Sequence, residues 1–255
     1  QAAFTALGLP AQYTAIRVRP AELPEFVARA RQELAGFNAT VPHKETLLPL
    51  LDEISAEAEA AGSVNTVINR AGRLCGETTD GIGLEQALRE AFGVLPQRER
   101  FVFLGAGGTV RATAAHLLRR GAAAITFVNR TPAKAEALCA KFAIAFPLAE
   151  LRVAVPADRA AVGAAVKTAT VVIQATSLGL RDGDPCPLAE EFFLPEVCYY
   201  DTIYRATAFL GQARRRGCRG ADGLGMLLHQ GAASFRIWTG REAPLEAMRR
   251  ALRAT

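Results

Sequence analysis

A glycine-rich turn between an apolar run and a helical run is the clearest chemical pattern in the sequence. The apolar run from Arg100 to Leu104 leads into Gly105-Ala106-Gly107-Gly108, and a helical pattern follows as far as Arg120. Glycines let a backbone turn tightly and approach a pyrophosphate, and the free N–H groups at the start of a helix attract the anion. The spacing is G-x-G-G, with Val110 in place of a third glycine, so an ordinary strand–helix turn is the alternative interpretation.

The end of the next strand pattern indicates which dinucleotide this turn would bind. That strand ends in Asn129-Arg130-Thr131, and Lys134 lies one turn into the following helix. An acidic residue here would accept the ribose 2′-hydroxyl of NAD, and the sequence has none at this point. A guanidinium can bind a 2′-phosphate through two hydrogen bonds, and an ammonium adds a positive charge. We therefore expect NADP, while the same residues also form a helix start with Pro132 in its first turn.

A third loop follows another apolar run and covers Gln174 to Gly179. Loops at the carboxyl ends of parallel strands line the ligand crevice of such sheets. The hydroxyls of Thr176 and Ser177 could therefore contact the dinucleotide, or the loop could be a plain turn.

Several polar residues interrupt apolar segments elsewhere in the chain. Each has a structural alternative: Lys44 as a solvent-facing helix residue, Asp80 as the cap of a helix over residues 81–92, and Asn65 as a polar group at a strand edge. The set consists of Asn38, Thr40, Lys44, Asn65, Thr66, Thr79, Asp80, Asp201, Tyr204 and Gln230.

Taken together, these motifs resemble the shikimate dehydrogenase family along the whole chain. The family pattern N-x-T-x-P-x-K corresponds to Asn38–Lys44, N-T to Asn65-Thr66, N-T-D-x-x-G to Thr78–Gly83, and D-x-x-Y to Asp201–Tyr204. The remaining matches are G-A-G-G-x-x-R-A at Gly105–Ala112, N-R-T at Asn129–Thr131, A-T-S-x-G at Ala175–Gly179 and D-G-x-x-M-L-x-x-Q at Asp222–Gln230.

The resemblance implies a cytoplasmic enzyme that reversibly reduces 3-dehydroshikimate to shikimate with NADPH, in aromatic amino-acid biosynthesis. It implies that Lys44 and Asp80 act as a pair, because hydride delivery to a ketone leaves an alkoxide that needs a proton and a nearby positive charge. The implied substrate-binding residues are Thr40, Asn65, Asp80, Tyr204 and Gln230, and Met226 would pack near the nicotinamide or simply fill the core. Two alternatives stay open: a paralogue acting on quinate or an amino analogue, and a non-catalytic sensor that binds NADP or shikimate.

Three departures from the family pattern bear on the site. Thr78 stands where the family usually has Asn, and Arg205-Ala206-Thr207 is shorter than the usual N-P-x-x-T. The family's amino-terminal strand and S-x-S motif, whose hydroxyls hold the substrate carboxylate, do not appear. We therefore expect the chain to be a fragment with an unpaired sheet edge and weakened shikimate binding.

These motifs require alternating strands and helices to position them. In the first part, the pattern predicts a strand over Tyr13–Val18, a helix over Ala21–Ala35 and an extended stretch over Phe37–Val41. It then predicts a helix from Pro42 to Leu51 with Thr40 as a possible cap. The segments Val64–Asn69 and Arg73–Gly76 flank Ala71-Gly72 and predict a hairpin.

The second part, from about residue 98, predicts a doubly wound parallel sheet, because its strands alternate with helices. Its predicted strands are Arg100–Leu104, Ala124–Asn129, Val171–Ala175 and Cys198–Thr202, and its predicted helices include Pro132–Phe142, Leu224–Trp238 and Pro244–Arg253. The predicted class is therefore α/β. With the resemblance, we expect a substrate-binding domain of residues 1–80 completed by helices in 224–255, and a Rossmann-type NADP-binding domain of residues 81–223.

Composition excludes several other classes of protein. Five widely spaced cysteines without a C-x-x-C pair argue against a zinc site or a disulfide framework and favour a reducing cytoplasm. No apolar run is long enough to span a bilayer, and the first residues lack the features of a signal peptide. The net charge is +5, and the densest basic run is Arg214–Arg216, which a solvated helix end explains better than nucleic-acid binding. We expect a small-molecule substrate, no metal, and a monomer or homodimer.

Overall fold

The computed structural model of the chain describes residues 1–254, which form two β-sheets flanked by helices. The first part contains α1 (Ala2–Ala6), α2 (Leu23–Glu33), β1 (Gly36–Asn38), α3 (His43–Thr46), β2 (Glu53–Ile54), α4 (Ala56–Ala61), β3 (Thr66–Arg70) and β4 (Arg73–Glu77). The second part contains α5 (Asp80–Phe92), β5 (Arg100–Leu104), α6 (Gly108–Arg119), β6 (Ala124–Val128), α7 (Pro132–Ala145), β7 (Glu150–Ala154), α8 (Arg159–Lys167), β8 (Val171–Gln174), β9 (Cys198–Asp201), α9 (Ala208–Arg215) and β10 (Arg219–Ala221). The chain then continues into α10 (Leu224–Thr239) and α11 (Leu245–Arg253).

The larger sheet is parallel throughout and has the strand order β10-β9-β8-β5-β6-β7. The chain proceeds from β5 outward through β6 and β7, then returns to the other side of β5 with β8, β9 and β10. The strand order therefore reverses between β5 and β8, and ligands of such sheets bind at this switch point, outside the carboxyl ends of the strands. The predicted doubly wound α/β fold is confirmed.

The larger sheet is buried on both faces, which explains why its central strands have nearly continuous apolar sequences. Alternate residues of β5 point to opposite faces: Phe101 and Phe103 pack toward α5, α6, α7 and α10, while Val102 and Leu104 pack toward α8 and α9. All four side chains are buried. This packing fixes β5, and with it the position of the glycine turn that follows.

The smaller sheet has four strands in the order β1-β3-β4-β2. The hairpin of β3 and β4 is confirmed, and its turn has Ala71 and Gly72 at positive φ. Strand β1 pairs with β3 in antiparallel orientation, so that Asn38 lies opposite Thr66, and Thr66 lies opposite Glu77. The ends of three strands therefore meet at one edge, which is where the predicted polar residues lie.

Two local predictions in the first part are wrong. Residues 13–18 pair with no strand among residues 1–254, and a strand exists only where a neighbour completes its hydrogen bonds. Tyr13 instead donates to Asn38 Oδ1 at 2.9 Å and packs against the Trp238 ring. The helix predicted over residues 42–51 is broken into α3 and a separate 3₁₀ turn at Leu48–Leu50, because Pro49 cannot donate a helical hydrogen bond.

The start of α3 also differs from the prediction. The cap position is Pro42, no side chain caps the helix, and the Val41–Pro42 peptide is cis. Thr40 is therefore not the cap, although its carbonyl accepts from His43 N at 2.8 Å. Similarly, Asp80 is the first residue of α5 rather than its cap, a position that Thr79 occupies.

Candidate active site

Lys44 and Asp80 form an ion pair, with Lys44 Nζ 2.5 Å from Asp80 Oδ2. Lys44 is the second residue of α3, and Asp80 begins α5 directly after β4. The Lys44 side chain is 14% exposed and the Asp80 side chain 1%, so one end of the pair reaches the surface of a cleft while the other is enclosed. Such a pair fixes the position of the Lys44 ammonium and leaves it accessible to a ligand in the cleft.

Asn65 holds the other oxygen of the Asp80 carboxylate. Its amide nitrogen donates to Asp80 Oδ1 at 2.8 Å, and it also lies 3.0 Å from Thr79 Oγ1 and 3.2 Å from Gln230 Oε1. Its oxygen accepts from the Thr79 amide at 2.8 Å and from the Thr66 hydroxyl at 3.0 Å. Because Asn65 is 3% exposed, these bonds are shielded from water, and they fix the orientation of the carboxylate.

Helix α10 completes this network from the far end of the chain. Gln230 and Ser234 lie one turn apart on α10 and so share a face of the helix. The Ser234 hydroxyl lies 2.8 Å from the Thr66 hydroxyl and accepts from Asn38 Nδ2 at 3.1 Å. The sequence interpretation missed Ser234, although its spacing from Gln230 was a usable signal.

The ion pair opens into a cavity of about 120 Å³. Of the predicted substrate residues, Tyr204 and Gln230 line this cavity with Lys44 and Asp80, while Asn65 lies just behind Asp80. Thr40 does not line it; Thr40 is exposed and borders a different cavity of about 160 Å³ next to β1. The remaining lining residues are Thr109, Thr202, Gly223, Met226 and Leu227.

Met226 belongs both to this cavity and to the core of the larger sheet. It is 6% exposed and packs in the core beside α5 and β9, and its backbone amide donates to the Tyr200 hydroxyl at 3.1 Å. Its two predicted roles, core filling and contact with a ligand, are thus compatible in position. Thr109 and Thr202 are cavity residues that the sequence interpretation did not single out.

The loop that carries Tyr204 is organised by the buried Asp201 at the end of β9. Asp201 Oδ1 accepts from the Ile203 amide at 2.9 Å, and Oδ2 accepts from the Thr207 hydroxyl at 2.7 Å. Burial raises the pKa of Asp201 to about 6, against the lowering effect of these two donors. Thr207 also caps α9, so the shortened Arg205-Ala206-Thr207 segment still connects the loop to a helix start.

The glycine turn lies beside the ion pair. Gly105 has a φ of +116°, and a Cβ there would be 2.9 Å from the Ala175 carbonyl oxygen, so both conformation and space require glycine. At Gly107 a Cβ would meet nothing within 4 Å, which leaves its backbone open to a ligand. A Cβ at Gly108 would lie 3.3 Å from Glu45 Oε1, which shows how closely α3 approaches the start of α6.

A groove of about 400 Å³ extends from the glycine turn along the carboxyl ends of β5, β6 and β8. No carboxylate is among the lining residues described for this groove, whereas Arg130 and Lys134 both line it and are exposed. Asn129 donates to the Thr131 carbonyl at 2.7 Å, which turns the chain into α7 with Pro132 in its first turn. Thr131 occupies the cap position without a side-chain cap bond.

The third predicted loop borders the same groove. Thr176 and Ser177 both line it, and the Thr176 hydroxyl accepts from the Leu178 amide at 3.1 Å. Gln174 Oε1 accepts from the Thr176 amide at 2.6 Å. The loop is therefore a hydrogen-bonded turn and a wall of the groove at once, as the two interpretations of the sequence each proposed.

A dinucleotide with a 2′-phosphate suits this groove. The open backbone at Gly107 and the free amide end of α6 suit a pyrophosphate, and two cations without a carboxylate suit a further phosphate. Among residues 1–254, no cluster of histidine, cysteine, aspartate and glutamate has the arrangement of a metal site. Within the same residues, no helix combines the length and the apolar character needed to cross a membrane.

Comparison with known proteins identifies the family. Residues 1–67 match the shikimate dehydrogenase substrate binding domain, residues 87–179 match shikimate / quinate 5-dehydrogenase, and residues 223–253 match the shikimate 5′-dehydrogenase C-terminal domain. The NADP⁺ shikimate dehydrogenase of Symbiobacterium thermophilum is 42% identical over 255 residues, which cover 98% of this chain and 86% of the relative.

Two solved structures are similar over nearly the whole chain. Shikimate 5-dehydrogenase from Listeria monocytogenes, in complex with shikimate and NAD, matches with a TM-score of 0.91 and 32% identity, covering 98% of this chain and 89% of the other. The enzyme from Thermus thermophilus, in complex with NADP(H) and shikimate, matches with a TM-score of 0.87 and 37% identity, covering 99% and 91%. The chain therefore belongs to the shikimate dehydrogenase family.

Proposed function

We propose that the chain catalyses the reversible, NADPH-dependent reduction of 3-dehydroshikimate to shikimate. The observation that carries this proposal is the Lys44–Asp80 pair at 2.5 Å, which opens into a cavity that it shares with Thr109 at the start of the glycine-turn helix. The proposed proton donor and the start of the helix that follows the glycine turn thus line the same cavity. This chemistry agrees with the activity of relatives such as the NADP⁺ shikimate dehydrogenase of Symbiobacterium thermophilum.

The cofactor is NADP. We assign its contacts to the glycine turn and to the end of the groove that carries Arg130 and Lys134. We assign Gly105, Ala106, Gly107 and Gly108 to the pyrophosphate, with Thr176 and Ser177 on the adjacent loop that borders the same groove. The 2′-phosphate is bound by the residues at the end of β6 and the start of α7, namely Asn129, Arg130, Thr131 and Lys134. When bound, the reduced nicotinamide would supply a hydride, and we assign Met226, on the wall of the cavity, to pack near it.

Lys44 supplies the proton and Asp80 holds Lys44 in place. Reduction of a ketone creates negative charge on its oxygen, and an ammonium at that point stabilises the charge and then transfers a proton to it. Asp80 accepts from Lys44 with one oxygen and from Asn65 with the other, so the ammonium cannot rotate away. In the reverse direction, Lys44 takes the proton back from the alcohol.

The ring hydroxyls of the substrate are read by the polar groups around this pair. We assign this role to Asn65, Asp80 and Gln230, with Tyr204 at the rim of the cavity; a role for Thr40, which borders the neighbouring cavity next to β1, stays a prediction. A site built from such groups discriminates strongly against analogues that lack a hydroxyl, because its buried polar groups would then be unpaired. On this proposal, residues 1–80 with 224–255 form the substrate-binding unit and residues 81–223 the NADP-binding unit.

A panel of substrates crossed with both nicotinamide cofactors tests the proposal. Shikimate with NADP should give the largest kcat/KM, measured as growth of the NADPH absorbance band, with quinate and NAD as the comparison arms. Faster turnover of quinate than of shikimate would identify the paralogue instead. Binding of shikimate and NADPH without turnover would identify a sensor, and both results would contradict the proposal.

A further inference from the structure

The third turn of α6 carries a buried histidine that the proposed chemistry does not use. His116 is 6% exposed and is bonded to a carboxylate at each ring nitrogen. Its Nδ1 lies 2.8 Å from Glu57 Oε1 on α4, and its Nε2 lies 2.6 Å from Glu85 Oε2 on α5. One side chain thus connects three helices.

The geometry specifies the protonation state of this imidazole. An ionised carboxylate can only accept hydrogen bonds, and a neutral imidazole has a hydrogen on only one of its two nitrogens. Two carboxylates at hydrogen-bond distance are therefore both satisfied only by the imidazolium. The other charged groups around it are Arg119, 3.6 Å from Glu57, and Arg120, 3.2 Å from Glu85.

Two of the three connected helices carry parts of the proposed site. Helix α5 begins with Asp80, and α6 begins at the glycine turn. The first turn of α5 packs directly on the histidine, since a Cβ at Gly81 would lie 2.2 Å from His116 Cβ. A shift at His116 therefore moves Asp80 relative to the glycine turn.

We propose that His116, as an imidazolium between Glu57 and Glu85, is a positioning residue that fixes the Lys44–Asp80 pair relative to the glycine turn. The proposal rests on the proposed function, because it concerns the alignment of a proton donor with a bound dinucleotide. His116 touches neither the cavity nor the groove, and it acts only through α5 and α6.

The charge of His116 makes this alignment dependent on pH. Burial alone would lower the pKa of His116, but the hydrogen bonds and charges of Glu57 and Glu85 outweigh burial and raise the pKa above its ordinary value. A raised folded-state pKa means that the stabilisation is complete below the ordinary pKa and is lost as the pH rises through the folded-state value. Above that pH, one carboxylate faces a lone pair, and the contact between α5 and α6 weakens.

The kinetic test compares the parent protein with two variants across the pH range from about 6 to about 10. His116→Gln cannot bridge both carboxylates and carries no charge, so kcat for shikimate oxidation should fall about tenfold, with NADP affinity within about twofold of the parent. In Glu85→Gln, the amide can donate to a neutral imidazole. The fall in kcat that deprotonation of His116 causes at alkaline pH should therefore disappear in this variant. His229→Gln is the matched control. His229 also bonds a carboxylate of α5, but only one, that of Glu90 at 2.8 Å. The kcat of this variant should stay within about twofold of the parent value.

A second readout needs no substrate. Amide hydrogen exchange at equal pH should be faster in His116→Gln than in the parent in the first turn of α5, and unchanged in β6. If the parent turns over no shikimate, the proposed function fails, while the exchange comparison still decides whether His116 holds α5. Unchanged exchange in His116→Gln, or an alkaline loss of kcat in Glu85→Gln identical to that of the parent, would overturn the assignment of His116.

Discussion

Replacing Lys44 with methionine should remove the proton donor while preserving most of its volume. Besides Lys44, the titratable residues described around the cavity are Asp80 and Tyr204, and Tyr204 is 60% exposed at the rim. Neither supplies an ammonium, so water must replace Lys44 in the variant. Loss of a general acid costs about 10²–10⁴ in rate, and without a second cation we expect the upper half of that range, or about 4–5.5 kcal/mol in the barrier.

The binding steps should change much less than the rate. Lys44 does not line the nucleotide groove, so NADPH affinity, measured from its fluorescence, should stay within about twofold of the parent. Asn65 and Gln230 are retained, so KM for shikimate should rise less than about tenfold. Lys167→Met, at an exposed position at the end of α8, is the matched control and should leave kcat unchanged.

A Lys44→Met protein with kcat within about threefold of the parent would refute the assignment of Lys44 as the proton donor. A large fall in NADPH affinity in the same variant would show instead that Lys44 supports the dinucleotide turn. Rates at saturating NADPH distinguish the two results, because loss of a proton donor lowers kcat itself, whereas weaker NADPH binding is overcome at saturation.

Three further predictions follow from the groove and from the Tyr204 loop. Arg130→Ala should weaken NADP by about 1.5–3 kcal/mol and leave NAD nearly unchanged, and equal weakening of both would remove Arg130 from the 2′-phosphate site. Gly107→Ala should lower NADP affinity without changing the melting temperature, whereas Gly105→Ala should lower the melting temperature through its φ of +116° and its contact with Ala175, as thermal scans with and without NADP would show. Because burial raises the pKa of Asp201 from 3.8 to about 6, its contribution to the free energy of unfolding should fall by about 3 kcal/mol as the pH rises from about 4 to about 6, and denaturant titrations should show that contribution as the difference in pH dependence between the parent and Asp201→Asn.

The core of the larger sheet could be predicted from the sequence because its central strands are buried on both faces. Strands β5, β6, β8 and β9 were all predicted within about a residue of their bounds, which is the usual uncertainty of strand ends. The edge strand β7 was missed because its sequence, ELRVA, places charges within the strand, and β10 was missed because RGA has no apolar pattern. These edges are strands only because their backbones pair with an existing neighbour, and no local pattern encodes that.

Short elements of the smaller sheet were harder to predict for a related reason. Strand β2 has two residues, and α4 has six, so neither is long enough to show a period. Residues 13–18 are rich in β-branched and aromatic side chains, yet that composition does not specify a pairing partner. The contacts of His116 with Glu57 and Glu85 could not be predicted from the sequence either, because these residues lie 59 and 31 positions away from His116 along the chain.

Asn65 shows why structural and functional interpretations of a polar residue need not compete. Its amide nitrogen has two hydrogens but three acceptors within reach, at Thr79, Asp80 and Gln230, and the Gln230 contact is the longest at 3.2 Å. The bonds to Thr79 and Asp80 maintain the start of α5, which is the structural role. Because Gln230 lines the cavity, a substrate hydroxyl there can compete with Gln230 for the weakest hydrogen bond of the Asn65 amide. We therefore expect Asn65 and Gln230 to exchange partners when a substrate binds, while the Asp80 carboxylate that holds Lys44 stays in place.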